Sequence, residues 1–145
     1  NAGVRCTGDP SHYDSCDPQD FDVDGQPTDD PAAAVLHPIE RYSGLLAGLQ
    51  AEQQELDPGA RVRVVVIDGA AIDGSLHYAD ADDPVHQDSF GIGPGCTSSG
   101  EIQAMPPVRM RDVALASGGT VGSICASDYS QLLRDAVTPF LAGCG

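Results

Sequence analysis

Residues 61–68 read RVRVVVID, and this run constrains the fold more than any other stretch of the chain. Its first half alternates charged and apolar side chains, and its second half is continuously apolar. That is the pattern of a β-strand buried on both faces, which needs helices above and below it and strands beside it. The run follows Asp57-Pro58-Gly59, a strong stop, and before that lies a helical pattern beginning at His37 and Pro38. Pro38 suits a first helical position, and Ile39, Tyr42, Leu45, Leu46 and Leu49 recur at helical spacing. A helix joined to a strand by a short Pro-Gly connection is an α/β unit.

The rest of the chain extends that unit. Pro107 to Ser117 reads as a short helix stopped by Gly118-Gly119, and Thr120 to Cys125 as a short strand. Ser127 is the expected cap of a last helix carrying Tyr129, Leu132, Leu133, Ala136, Val137, Phe140 and Leu141. Pro139 inside that pattern is expected to kink or fray its last turn. The order implies parallel strands with helices on both faces, a partial Rossmann-like, three-layer α/β fold. Only two strands are evident, and two make a poor sheet, so the chain reads as part of a fold. Asn1 likewise reads as a processed, truncated or fragment terminus. We divide the chain into an acidic, cysteine-containing, loop-rich arm over 1–34 and an α/β portion over 35–145. The arm holds eight Asp and one Arg with little apolar periodicity. The α/β portion carries a long Gly-, Asp- and Ser-rich loop over 69–104, where function or insertions are expected.

Charge and composition remove several function classes. Acidic residues number 22 against 7 basic ones, for a net charge of -15, which argues against a nucleic-acid backbone or an anionic membrane surface as partner. No apolar run is long enough to span a bilayer. All seven basic residues are Arg, so a lysine Schiff base and a P-loop lysine are both excluded. Five cysteines in a small acidic chain read as oxidised, placing the protein outside the cytoplasm: secreted, periplasmic or on the cell surface. No C-x-x-C or H-x-x-x-H spacing supports a zinc site. Five cysteines permit many pairings, and Cys144, next to the end, is the candidate for the odd thiol.

Two segments together carry a family resemblance. LHPIERYSGLLAGL followed by RVRVVVIDG, and then GPGCTSSGEIQAMPPVRM followed by ASGGTVGSICASDYSQLL, are similar to the second half of von Willebrand factor type A domains of secreted bacterial proteins. The similarity runs from Leu36 to Gly145, with Val4-Arg5-Cys6 as a weaker anchor. It implies a non-enzymatic binding or adhesion module whose partner is another protein or the unseen N-terminal half of the same one. With it goes the expectation that Cys96 pairs with Cys125 and Cys6 with Cys16. Such domains hold a divalent cation through Asp-x-Ser-x-Ser, which this chain lacks, so none of those ligands is carried over.

Other candidate sites stand on residue pattern alone. Asp20, Asp22 and Asp24, followed by Gly25, match the opening of an EF-hand-type loop, where alternate carboxylates converge on Ca²⁺. The twelfth position is Pro31 rather than Glu, with Asp29 and Asp30 as substitutes, and Ca²⁺ is the one cofactor this pattern admits. Asp80, Asp82 and Asp83 with His77 and His86 form a second polar cluster, whose spacing matches no metal signature. Ser75 in Asp73-Gly74-Ser75, with His37, His77 or His86 as base, is the hydrolase alternative within the 69–104 loop; it lacks the second glycine of G-x-S-x-G. A calcium-stabilised structural element is the third reading.

Overall fold

The computed structural model describes residues 3–98 and 103–141. Its first element is a β-hairpin, β1 (Val4–Asp9) paired antiparallel with β2 (His12–Pro18), in the segment expected to be loop-like. Cys6 stands opposite Cys16 in the register, and a disulfide joins them. The turn is closed by Asp9, whose Oδ1 accepts from the Ser11 N–H at 2.8 Å and from the Ser11 hydroxyl at 2.7 Å. The inward residues of the hairpin are Val4, Cys6, Tyr13 and Cys16. They pack with Tyr78, Ile92 and Val108 into one cluster, so the acidic surface of this segment conceals a buried face.

The parallel pair expected from the sequence is present but short. Helix α1 (Ile39–Leu56) leads to β3 (Val65–Asp68), and β3 pairs in parallel with β6 (Thr120–Ser123), Val65 opposite Thr120 and Asp68 opposite Ser123. Residues 61–64 do not join the ladder in full, because side chains take their amides. The Val62 N–H donates to Gln50 Oε1 at 3.3 Å and the Val64 N–H to Ser117 Oγ at 2.8 Å. At the entry to β6 the two backbones touch. A Cβ on Gly119 would fall 1.8 Å from the Val64 carbonyl oxygen, so only glycine fits there.

Between these strands, the 69–104 stretch forms α2 (Pro84–Phe90) and a small antiparallel pair, β4 (Cys96–Thr97) with β5 (Gln103–Ala104). Asp83 caps α2, accepting from the Val85 N–H at 3.0 Å, and Pro84 occupies its first turn. Helix α3 (Val108–Ala116) rests on β2, β3 and β6 and buries Val108, Val113 and Ala114. Helix α4 (Ser130–Leu141) continues in helical conformation through Pro139. The acceptor at its start is Asp128, which takes the Ser130 N–H at 2.8 Å, rather than the expected Ser127. Leu132 lies over Gly122 so closely that a Cβ there would come within 2.1 Å of it.

The architecture among the described residues is therefore mixed α/β with three two-stranded sheets, one of them parallel. A three-layer arrangement would need more strands beside β3. Helix α1 differs from expectation in a telling way. None of its 18 residues is buried, and its half-buried line is Ile39, Ser43, Leu46, Gln50 and Gln54. Tyr42, Leu45 and Leu49, three of the apolar residues that define its periodicity, face outward at 45%, 63% and 41% exposure. The helix touches α3 on one side and carries a second apolar stripe that nothing in the described residues covers.

Candidate functional site

The hairpin is fastened to the α/β portion at two polar points, and the candidate residues fall largely around them. At the first, Arg109 of α3 reaches under the N-terminal segment. Its Nη1 donates to the carbonyls of Gly3 and Gln19 at 3.2 and 3.3 Å, and its Nη2 to the carbonyl of His37 at 3.0 Å. The same Nη2 lies 2.8 Å from Asp20 Oδ1 as an ion pair outside hydrogen-bond geometry. Asp20 is thus neutralised by a guanidinium. Asp22 is occupied differently, its Oδ1 accepting from the N–H groups of Asp24 and Gln26 at 2.9 and 2.8 Å. The Asp20–Asp24 loop closes on its own backbone and on Arg109. Asp30 accepts from the Ala32 N–H, and Asp29 lines a cavity of about 730 Å³ together with Asp20, His37, Glu40 and Arg41. Among the described residues no group of three or more His, Cys, Asp or Glu is placed to hold a metal ion.

The second point joins β2 to the 69–104 stretch. The Tyr13 hydroxyl donates to Asp80 Oδ1 at 2.6 Å, and Gln87 Nε2 donates to the same oxygen at 2.8 Å. Backbone bonds reinforce the contact, from Tyr13 N to Tyr78 O at 2.9 Å and from Asp80 N to Pro10 O at 2.7 Å. His77, Asp80, Asp82, Asp83 and His86 do meet around one cavity, of about 440 Å³. The histidines are otherwise engaged: His77 stacks near His12, and His86 lies against Phe90 with its Nε2 3.2 Å from the Met105 sulfur.

The short bond to Asp80 favours the neutral phenol and pushes the Tyr13 pKa from the ordinary 10 up to about 12, with lesser help from desolvation and the Asp80 charge. Burial also raises Tyr78, against the pull of the Arg111 guanidinium, whose Nη1 donates to its hydroxyl at 2.8 Å. Because the folded-state pKa of Tyr13 is the higher one, its stabilising contribution is complete below pH 10 and lost as pH rises toward about 12. An ultraviolet titration of the four tyrosines should therefore show a late ionisation near 12 that Tyr13→Phe abolishes. An unchanged late step in that variant would assign it to another tyrosine.

The hydrolase candidates are not assembled. The Ser75 hydroxyl donates to Asp73 Oδ1 at 2.6 Å, and the Ser75 N–H donates to the same atom at 2.9 Å, a local turn. Those two bonds hold the Asp73 carboxyl below its usual range. His37 contacts Arg41, and neither it nor His77 nor His86 partners Ser75. Cys96 and Cys125 are joined to each other, which removes both as thiolate nucleophiles. Cys144 lies outside the described residues.

The remaining feature is the outer edge of β3. The Thr120 N–H donates to the Val64 carbonyl and the Ile124 N–H to that of Asp68, so even-numbered residues of β3 bond toward β6. Val65 and Ile67 consequently turn their peptide groups the other way, where no strand pairs with β3 among the described residues. Gly69 N–H, next on that side, is taken by the Met105 carbonyl at 3.1 Å. Pattern reading missed Arg109 and Tyr13 because their partners lie up to 106 residues away. Comparison with protein-family models, curated proteins and solved structures finds no match for this chain.

Proposed function

We infer that the chain acts as a non-enzymatic, extracytoplasmic binding module, similar to the second half of a von Willebrand A domain. Its partner is a protein segment that adds a strand at the outer edge of β3. The observation that carries this reading is the pairing of an open strand edge with an uncovered apolar helix face. Among the described residues no strand pairs with β3 on the side of Val65 and Ile67, and Tyr42, Leu45 and Leu49 form an exposed apolar stripe. Open edges recruit strands, since main-chain hydrogen bonds supply affinity while alternate side chains select the partner. Two disulfides accord with an oxidising compartment. No helix among the described residues is long and apolar enough to cross a membrane. A hydrolase is the weaker reading, because the Ser75 hydroxyl donates its hydrogen bond to the Asp73 carboxylate and no imidazole partners it.

Amide hydrogen exchange on a demonstrated monomer tests the edge. Val66 and Asp68 should exchange slowly and Val65 and Ile67 quickly, and a bound partner should slow the latter pair. Slow exchange of Val65 and Ile67 in the monomer would overturn the reading. Stoichiometric labelling of one residue by a serine- or cysteine-directed probe would favour the enzyme instead.

A further inference from the structure

The uncovered stripe of α1 has a spacing and a charge of its own. Tyr42, Leu45, Leu49 and Leu56 follow one another along the helix, all four exposed, with Leu56 the most exposed. Glu52 completes the interval between Leu49 and Leu56, so the steps alternate between three and four residues. That alternation is the seam by which one helix meets another, and a helical partner is read by anchors at such intervals. Gly48, between Leu45 and Glu52 on the same surface, has open space where a side chain would stand, so a partner can approach the backbone closely.

Charge decides what can lie there. The helix dipole places partial negative charge at the C-terminal end of α1, where a basic residue would be stabilising, and the last turn carries none. Glu52 and Glu55 instead add two exposed carboxylates at that end. Neither enters an ion pair among the described residues, whose pairs are Arg109–Asp20 and Arg111–Asp112. A cation brought to this end of the stripe therefore gains from the dipole and from both carboxylates. A second copy of the chain is the wrong occupant on the same ground, since it would bring a further net charge of -15 and its own Glu52 to the seam.

We propose that the exposed stripe of α1 docks an amphipathic helix of a partner protein, apolar along one face and carrying Lys or Arg where it meets Glu52 and Glu55. The apolar face covers Tyr42, Leu45 and Leu49, and the basic residues pair with the glutamates at the rim. This rests on the binding-module reading above and adds the chemistry of the partner's second element, a helix beside the strand.

Calorimetric titration of the whole chain tests it with a helical peptide of about three heptads, Leu along its seam and Lys flanking it. The same peptide with Glu in place of Lys is the comparison. The Lys peptide should bind saturably, and the Glu peptide weaker by roughly tenfold or more. Leu45→Ser/Leu49→Ser should weaken the Lys peptide by a similar factor, and both residues are exposed, so the fold is kept. Glu52→Gln/Glu55→Gln should weaken it too, whereas Asp14→Asn/Asp88→Asn, which removes as much charge from exposed positions on β2 and α2, should leave it unchanged. Absence of saturable binding, equal binding of the two peptides, equal weakening by the two charge-removing variants, or indifference to Leu45→Ser/Leu49→Ser would each overturn the proposal. The strand edge is read separately, by exchange at Val65 and Ile67. Slow exchange there in the free monomer removes the added strand and leaves the peptide result standing, while fast exchange with no peptide binding removes the helix alone.

Discussion

Removing the Cys96–Cys125 bond, as the Cys96→Ser/Cys125→Ser variant, is expected to lower stability by about 3–4 kcal/mol. The bond closes a loop of sequence separation 29, and the chain entropy released on opening it scales with that length. A loss of this size is a large share of the roughly 5–15 kcal/mol typical of a folded domain. The core offers little reserve: only eight hydrophobic residues among those described are buried, and Ala70 and Ala114 are two of them. The bond also ties β4 to the segment leaving β6, with the Ser123 hydroxyl 3.7 Å from the Cys96 sulfur. Cys6–Cys16 closes a separation of only 10, across strands already paired in register, so its removal should cost less by about 1 kcal/mol. Urea unfolding of the two double variants measures both. An equal or larger cost at Cys6–Cys16 would show that the hairpin depends on its disulfide more than on its ladder.

What the sequence discloses follows how local the controlling interactions are. Helix α3, expected over Pro107 to Ser117 and found at Val108–Ala116, is set by its own apolar spacing and by Gly118-Gly119 behind it. The parallel pairing of β3 with β6 was legible from element order, since two short strands separated by a helix return in the same direction. The length of β3 was not, because the amides of Val62 and Val64 just before it are claimed by Gln50 of α1 and by Ser117, the residue that ends α3. The β1–β2 hairpin was hidden further. Its polar outer face dominates the pattern, and its inward Val4, Cys6, Tyr13 and Cys16 are stabilised by Tyr78, Ile92 and Val108, all far along the chain. The same distance explains the candidate site. Asp80 and its neighbours were visible as a polar cluster, but nothing near them in sequence marks Asp80 as the acceptor of the Tyr13 hydroxyl 67 residues before it.

Arg109 is the clearest case of such remote control, and Arg109→Ala is expected to destabilise the protein by about 3 kcal/mol. One guanidinium serves three backbone carbonyls, from Gly3, Gln19 and His37, and an ion pair with Asp20. The side chains of Arg109 and Asp20 are only 14% and 20% exposed, so solvent replaces these partners poorly. Much of the cost comes from Asp20, whose Oδ1 is buried and would be left charged without a counter-ion. Asp20→Asn introduced together with Arg109→Ala should therefore recover part of the loss, and the double-mutant cycle should show clear coupling. Arg109→Lys should fall between, since an ammonium keeps the charge but cannot span carbonyls on three segments at once. The damage should also be directional. Hydrogen exchange should accelerate across the Asp20 loop and the hairpin before it reaches β3 and β6, which bond to one another without Arg109. Additive single and double variants, with exchange rising uniformly, would mean that Arg109 is one packing residue among many. Strong coupling with loss confined to the N-terminal segment would mark it as the fastening that makes this acidic hairpin part of the fold.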